Sequence, residues 1–380
     1  MTYNPQHTNF VGYRGLVLLD NVLLLASSGD VTFAAAPIKS SANWGAGSWN
    51  AAETVAWSAD MPTIDANIEC DVTTTAIGKI EEFSKRYKVS DQNGGTPVSI
   101  HPTNSWGFEG KAFCDSLSLK CAEKQNLTAS IKCKAYATDS ENGLTYDFDP
   151  LVNGEQRYGV NRQTGDLGIP NAGLDNTAGT LLQNVSGYAQ LQGMAYNALY
   201  PYWFQRVYLA LQKDTTPSAN GKEIPRIALS NVVWGNAFDG ISDWNATLNH
   251  NIQFKKTCCM RSGAPAASGG WPLAPDYVAL GAMTGDCSLT FVGTLNEFDY
   301  NYYYHTRSFA AAFDSPAETD TPTSKHTVII PAMTCESYPM SLQTGNDIIT
   351  ANFSYTAVGN GTDPPALLGA WDNTVQIPTN

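Results

Sequence analysis

Ser116–Ala137 reads SLSLKCAEKQNLTASIKCKAYA, and this stretch decides the fold class. From Leu127 onward apolar and polar residues alternate. Leu127, Ala129, Ile131, Cys133 and Ala135 fall on one phase, and Thr128, Ser130, Lys132 and Lys134 on the other. A period of two belongs to a strand with one face in a core and the other in water. Ser116–Cys121 supplies the first arm and Ala122–Asn126 the turn, so the stretch predicts an antiparallel hairpin.

The same alternation recurs upstream. Ile68, Cys70 and Val72 form an apolar phase, with Asn67, Glu69, Asp71 and Thr73 on the polar one. A short helix is expected over 75–88, where Ile77, Ile80 and Phe83 recur at helical spacing behind a threonine run able to cap it. Val98–Pro102 reads as a further strand. Residues 138–180, rich in Asp, Asn and Gly, read as irregular. A helical pattern follows over Leu182–Leu199, then a strand over Tyr202–Leu211 and a turn-rich loop over Asp214–Lys222. The longest apolar run, LVLLDNVLLLA at 16–26, is shorter than the ~18–20 residues of a membrane span. Asp20-Asn21 at its centre also argues against a signal-peptide core, so it reads as a buried strand.

Composition agrees with a β-rich, turn-rich globular chain. There are 380 residues, enough for two or three domains, with 32 Gly, 20 Pro, 18 Tyr and 9 Trp. Charged residues make up only 15%, against about 25% in an average soluble protein. The formal net charge of −13 argues against a surface that binds nucleic acid, which needs a basic footprint. It leaves room for a surface that nucleic acid must pass without sticking. The eight cysteines contain no CxxC pair, and Cys70 and Cys133 lie on apolar phases, so they read as reduced thiols rather than disulfides or metal ligands.

The second half echoes the first. Cys335-Glu-Ser repeats Cys114-Asp-Ser 221 residues on, and Thr350-Ala-Asn-Phe353 repeats Thr128-Ala-Ser-Ile131 222 residues on. Ala228–Val232 resembles Leu18–Val22, and Val328–Pro331 resembles Ser99–Pro102. Thr294-Leu-Asn-Glu297 is a capping box that would open a second helix with Leu295, Phe298, Tyr302, Phe309 and Phe313 on its apolar face. Phe298, Tyr300, Tyr302 and Tyr304 also alternate as a strand would. Echoes that keep their order point to an internal duplication.

Motifs for chemistry are lacking. The five histidines show no HxxxH or HExxH spacing, and there is no GxSxG elbow, Walker loop or GxGxxG fingerprint. Glu81-Glu82 on the expected helix reads as a solvated face, and Asp147-Phe-Asp149 as a turn. No catalytic residue, cofactor site or metal site is assigned, and the chain reads as a non-enzyme. Trp44, Trp49, Tyr202 and Trp203 are the candidate subunit-interface residues, because aromatics are enriched and charges depleted where surfaces meet.

The helix-plus-hairpin unit, Ile77–Tyr87 with Ser116–Ala137, and its echo over Cys335–Ala357 resemble the major tail (tube) protein of long-tailed bacteriophages. The resemblance covers about residues 14–138 and 225–358. It implies two tandem β-sandwich or barrel-like tail-tube domains, each with a flanking helix. These would occupy 1–150 and 225–380, with 151–224 a connecting or inserted region. It implies a structural virion protein of the tail, assembled in the host cytoplasm. Copies would join as trimeric rings of pseudo-sixfold symmetry and stack into a tube for genome passage. Tape-measure and tail-end proteins would be its neighbours. DNA would pass through without specific binding, and Glu69 and Asp71, on the polar phase of their strand, are the candidate lumen-facing acids. The alternative is a capsid decoration protein or a receptor-binding tail or fibre module.

Overall fold

The structure is a computed structural model. It describes residues 16–20, 22–34, 38–40, 55–57, 63–74, 76–85, 95–101, 107–136, 145–147, 201–204, 207–213, 241–255, 277–279, 281–292, 307–314, 325–337, 350–359 and 367–370, together with short strand pairs at 151–152/155–156 and 160–161/166–167. The chain is mainly β, as the alternation predicts. The N-terminal half contributes β1 (Leu16–Leu19), β2 (Leu25–Ala34), β3 (Thr63–Asp71), α1 (Ile77–Lys85), β4 (Thr96–His101), β5 (Gly107–Ala122), β6 (Thr128–Tyr136) and β7 (Thr145–Asp147). The C-terminal half contributes β8 (Val207–Lys213), β9 (Ile241–Asn249), β10 (Thr284–Val292), β11 (Arg307–Asp314), β12 (Lys325–Ser337), β13 (Thr350–Ala357) and β14 (Leu367–Ala370). All fourteen strands belong to one 15-stranded antiparallel sheet system, with Val22–Leu23 as its remaining strand.

The strand order of the two halves is the same. Hydrogen-bonded neighbours run β1-β4-β5-β6-β3-β2 in the first and β8-β11-β12-β13-β10-β9 in the second. β7 pairs with the start of β5 as β14 pairs with the start of β12. The irregularities coincide as well. β5 carries a bulge between Cys114 and Ser116 against β6, and β12 one between Cys335 and Ser337 against β13. β2 slips between Ala26 and Ser28 against β3, and β9 between Ile241 and Asp243 against β10. The Cys-Asp-Ser and Cys-Glu-Ser echo therefore falls on the same bend of the same strand. A bulge adds twist and re-aims a strand, and these long strands use it to pass from one layer to the next.

In the first half the layers are β1-β4 with the start of β5, and β2-β3-β6 with the end of β5. Their spacing is tight. A Cβ on Gly29 of β2 would lie 3.3 Å from Ile100 Cγ2 and 3.4 Å from Val17 Cγ2, so glycine lets β2 approach β1 and β4. α1 begins where Thr73 accepts backbone N–H groups. Its Oγ1 takes that of Ala76 at 3.2 Å, and its carbonyl takes that of Ile77 at 3.0 Å. Ile77, Ile80 and Phe83 turn into the core, each contributing on the order of 1.5–3 kcal/mol by burial.

Several expectations need correction. The 16–25 run is not one strand: Asp20, at φ 48°, turns the chain so that Leu19 pairs back with Val22. Thr73 is fully buried as the helix cap, not on the polar face. Phe309 and Phe313 lie in a strand, not a helix. Residues 308–313 are buried without alternation because β11 is sandwiched between β8 and β12 and covered on both faces. A strand covered on both faces reads as a continuous apolar run, which is easily taken for helical spacing. Val328–Pro331 lies in β12 and not in the counterpart of β4, so its echo of Ser99–Pro102 is coincidental. Within 138–180, which reads as irregular, the structure places short strands, one of them β7. The strand expected over Tyr202–Leu211 begins only at Val207, and it pairs with β11. Ala228–Val232, the 182–199 helix, the 294–304 segment, the 214–222 loop and Cys258-Cys259 lie outside the described residues.

Candidate functional site

The two halves meet along a strand pair. β9 lies antiparallel on the end of β5, from Asp243 opposite Ala122 to Asn249 opposite Ser116. The sheet therefore runs unbroken through β2, β3, β6, β5, β9, β10 and β13. Alternation gives this sheet one apolar and one polar side over its whole breadth. Ile64, Ala66, Ile68 and Cys70 of β3 are buried, as are Trp244, Ala246 and Leu248 of β9 and Ala351, Phe353 and Tyr355 of β13. The opposite side carries short polar groups that bond across strands. Ser118 Oγ donates to Asn245 Oδ1 at 2.5 Å, Thr247 Oγ1 donates to Ser118 Oγ at 3.0 Å, and Thr290 Oγ1 donates to Asn352 Oδ1 at 2.8 Å. Short side chains that satisfy one another leave few free donors for an incoming phosphate.

Charge on this polar side is uneven. It carries acids at Asp30, Asp65, Glu69, Asp71, Asp243 and Asp286 and lysines at 120, 132 and 134, of which Lys134 lies directly opposite Asp65. All three lysines sit in the N-terminal half: Lys132 and Lys134 lie on β6 beside β3 and its acids, and Lys120 lies on β5 opposite Asn245 of β9. Lys134 is engaged: its Nζ lies 3.0 Å from Asp115 and donates to the Ile252 carbonyl at 3.2 Å. The polar side of β9, β10 and β13 carries no lysine or arginine among the described residues.

Of the candidate lumen acids, Glu69 is exposed on β3. Asp71 is half-buried and accepts a hydrogen bond from Asn126 Nδ2 at 2.9 Å, which ties it to the β5–β6 turn. Tyr202, expected at a subunit interface, is instead fully buried within the chain at 0% exposure. Its N–H donates to the Val72 carbonyl and its carbonyl accepts from the Leu127 N–H, so 201–204 is stitched onto the first half before β8 joins the second. The next residue, Trp203, is 38% exposed and is the one large apolar side chain left in water among the described residues. Trp44 and Trp49 lie outside the described residues.

Sequence reasoning missed the clamp at the joint. Asp115 is the bulged residue of β5. Its Oδ1 accepts the Ile252 N–H at 2.8 Å, its Oδ2 pairs with Lys134, and its carbonyl accepts the His250 N–H at 2.7 Å. The Cys114-Asp-Ser echo was the available signal, but its bulge is invisible without the register. Glu81, read as solvated, is shielded where α1 leans on the second half. It pairs with Lys85 and lies 3.5 Å from His326 Nδ1 of β12. Among the described residues no three His, Cys, Asp or Glu side chains are placed to hold a metal ion, and no helix is long and apolar enough to cross a membrane. The chain matches no protein-family model and no curated protein.

Proposed function

We propose that the chain is a structural virion protein of the tail-tube type. It carries one small β-sandwich unit twice, and copies join their sheets into stacked rings around a bore through which the genome passes. The repeated strand order, already joined once within the chain by β5 and β9, is the observation that carries this reading. A sheet that extends itself by adding a further unit at its edge grows into a closed wall, and closure removes the exposed edges that would otherwise aggregate. The polar side of that sheet, acidic on balance and rich in mutually bonded Ser, Thr and Asn, suits a wall that DNA slides past. Glu69 then faces the bore.

Negative-stain electron microscopy of the purified protein at high concentration, and immunolabelled particles containing it, test the proposal. Stacked rings or tubes with a central bore, and label along a tail, are expected. A protein that stays monomeric, with label on the head or at the tail tip, would overturn it in favour of a decoration or receptor-binding role.

A further inference from the structure

We propose that His250 is an acid-released latch on the joint between the halves. When its imidazole takes a proton, the end of β9 lifts off the bulge of β5, while each half keeps its own sheet. The latch acts whether or not copies stack into a tube. His250 directly follows β9 and is buried at 1% exposure. Three attachments meet there. Its N–H donates to the Asp115 carbonyl at 2.7 Å, just past the last pair of the joint, Asn249 opposite Ser116. Two residues on, the Ile252 N–H donates to Asp115 Oδ1 at 2.8 Å. The imidazole itself lies against the backbone carbonyls of Cys114, beside the bulge, and of Ser84, in the last turn of α1. The last carbonyls of a helix have no partner within it, so an imidazole N–H is well used beside Ser84. One side chain from the second half thus reaches both β5 and α1 of the first.

A neutral imidazole suits this place and an imidazolium does not. Burial outweighs the carbonyls and the Asp115 carboxylate, which favour the charge, and holds the group below the usual histidine range. On β5, Asp115 is already engaged by Lys134 of β6 and by the Ile252 N–H, and the Cys114 thiol is pushed up by burial and stays neutral. On α1, Glu81 and Lys85 flank Ser84 and pair with each other. β9 itself brings no charge closer along the chain than Asp243. A charged His250 therefore needs water. The shortest way to admit it is to break the two bonds to Asp115 at the end of β9, short of the core at Trp244 and Ala246. The histidine on the other side of α1 has the opposite sign: a charge on His326, 3.5 Å from Glu81, tightens the hold of α1 on β12. The repeated unit lacks the latch. Ser28 and Asp243 each follow the bulge of their strand, so the first-half counterpart of His250 is Ala35.

Hydrogen exchange of the full chain, read by mass spectrometry between about pH 7.5 and pH 5 and corrected for intrinsic rates, tests the latch. An unfolded histidine titrates at about 6.5, so below that pH opening at residues 243–252 and 116–122 is expected to rise by up to about ten-fold per pH unit. Residues 63–71 and 128–136 should keep their protection. His250→Gln, which keeps a donor but takes no proton, should abolish the rise. Should that variant not fold, exchange at the imidazole C2 position of the parent chain reports the titration of His250 directly, with a midpoint below about 6.5 expected. A midpoint at or above that value, a joint that opens no faster in acid, the same rise in the glutamine variant, or an equal loss of protection over 63–71 would each overturn the latch.

Discussion

The ring of Tyr202 stands edge-on to that of Phe313, with centroids 5.1 Å apart and planes at 65°. Tyr202 is stitched by its backbone to the first half, and Phe313 belongs to β11 of the second, so this contact joins the two cores into one. Tyr202→Ala is expected to cost about 3–5 kcal/mol, as for other buried aromatics cut to alanine. Urea denaturation followed by tryptophan fluorescence checks it. A loss of that size, with the transition broadening or splitting as the halves uncouple, is the expected outcome. A cost under ~1 kcal/mol would show that the contact does not couple them.

Glu81 makes a further link between the halves, and it gives stability a pH dependence. Burial opposes its charge, but the contacts with His326 and Lys85 outweigh that and hold the carboxyl below the usual carboxylate range. A carboxylate with a depressed folded-state pKa stabilises the fold above its unfolded value, about 4.3, and that contribution is lost as pH falls through the folded value. Glu81→Gln is expected to flatten the loss of stability between about pH 5 and pH 3 relative to the parent chain. Parallel urea-midpoint curves for the two proteins would contradict it.

What was legible in the sequence was whatever one strand reveals on its own. The β3 and β6 alternations name their buried residues correctly because each strand has one wet face and one dry face. The capping threonine run and the apolar face of α1 follow from local chemistry in the same way. What failed depended on neighbours. Phe309 and Phe313 looked helical because two flanking strands and covered faces remove the period of two from β11. Tyr202 looked like surface because nothing in its own segment announces that the Val72 carbonyl and the Leu127 N–H wait for it. The bulge at Asp115 could be seen as a repeated tripeptide, but its role needs the register of three strands at once.

Two glycines should respond to the same substitution with opposite signs. A Cβ on Gly78, inside α1, would meet nothing within 4 Å, so Gly78→Ala is expected to stabilise by about 0.5–1 kcal/mol through chain entropy. Gly95 has φ +61°, and a Cβ there would sit 2.8 Å from the Ala112 carbonyl oxygen. Gly95→Ala combines the roughly 1–2 kcal/mol of left-handed backbone strain with that collision, so its cost should exceed 1–2 kcal/mol. Thermal melts of the two variants against the parent settle both signs.

The thiols of Cys70, Cys121 and Cys133 are pushed up to about 12 by burial and, secondarily, by neighbouring Asp71, Asp243 and Asp115 respectively. Thiolate is the reactive form, so these groups are expected to resist iodoacetamide at pH 8 while the chain is folded and to react at once in denaturant. Cys335, half-buried on β12, should be labelled first among the cysteines of the described strands. Peptide mapping by mass spectrometry gives the order. Early labelling of Cys70 or Cys133 would mean that the β3–β6 sheet opens readily in the native protein.

Asp115 tests whether the joint between halves depends on its bulge. Asp115→Ala strands the buried Ile252 N–H and leaves Lys134 without its carboxylate, at an expected cost of about 1–3 kcal/mol. Asp115→Asn keeps an oxygen for the Ile252 N–H and loses only the charge pair, which is part-exposed and worth at most about 1 kcal/mol. The alanine variant should therefore be the weaker of the two, and amide exchange at Ile252 should accelerate far more in it than in the asparagine variant. If both variants destabilise equally and Ile252 exchanges alike in each, the clamp works through charge alone. The backbone bond then does not hold β9 on β5.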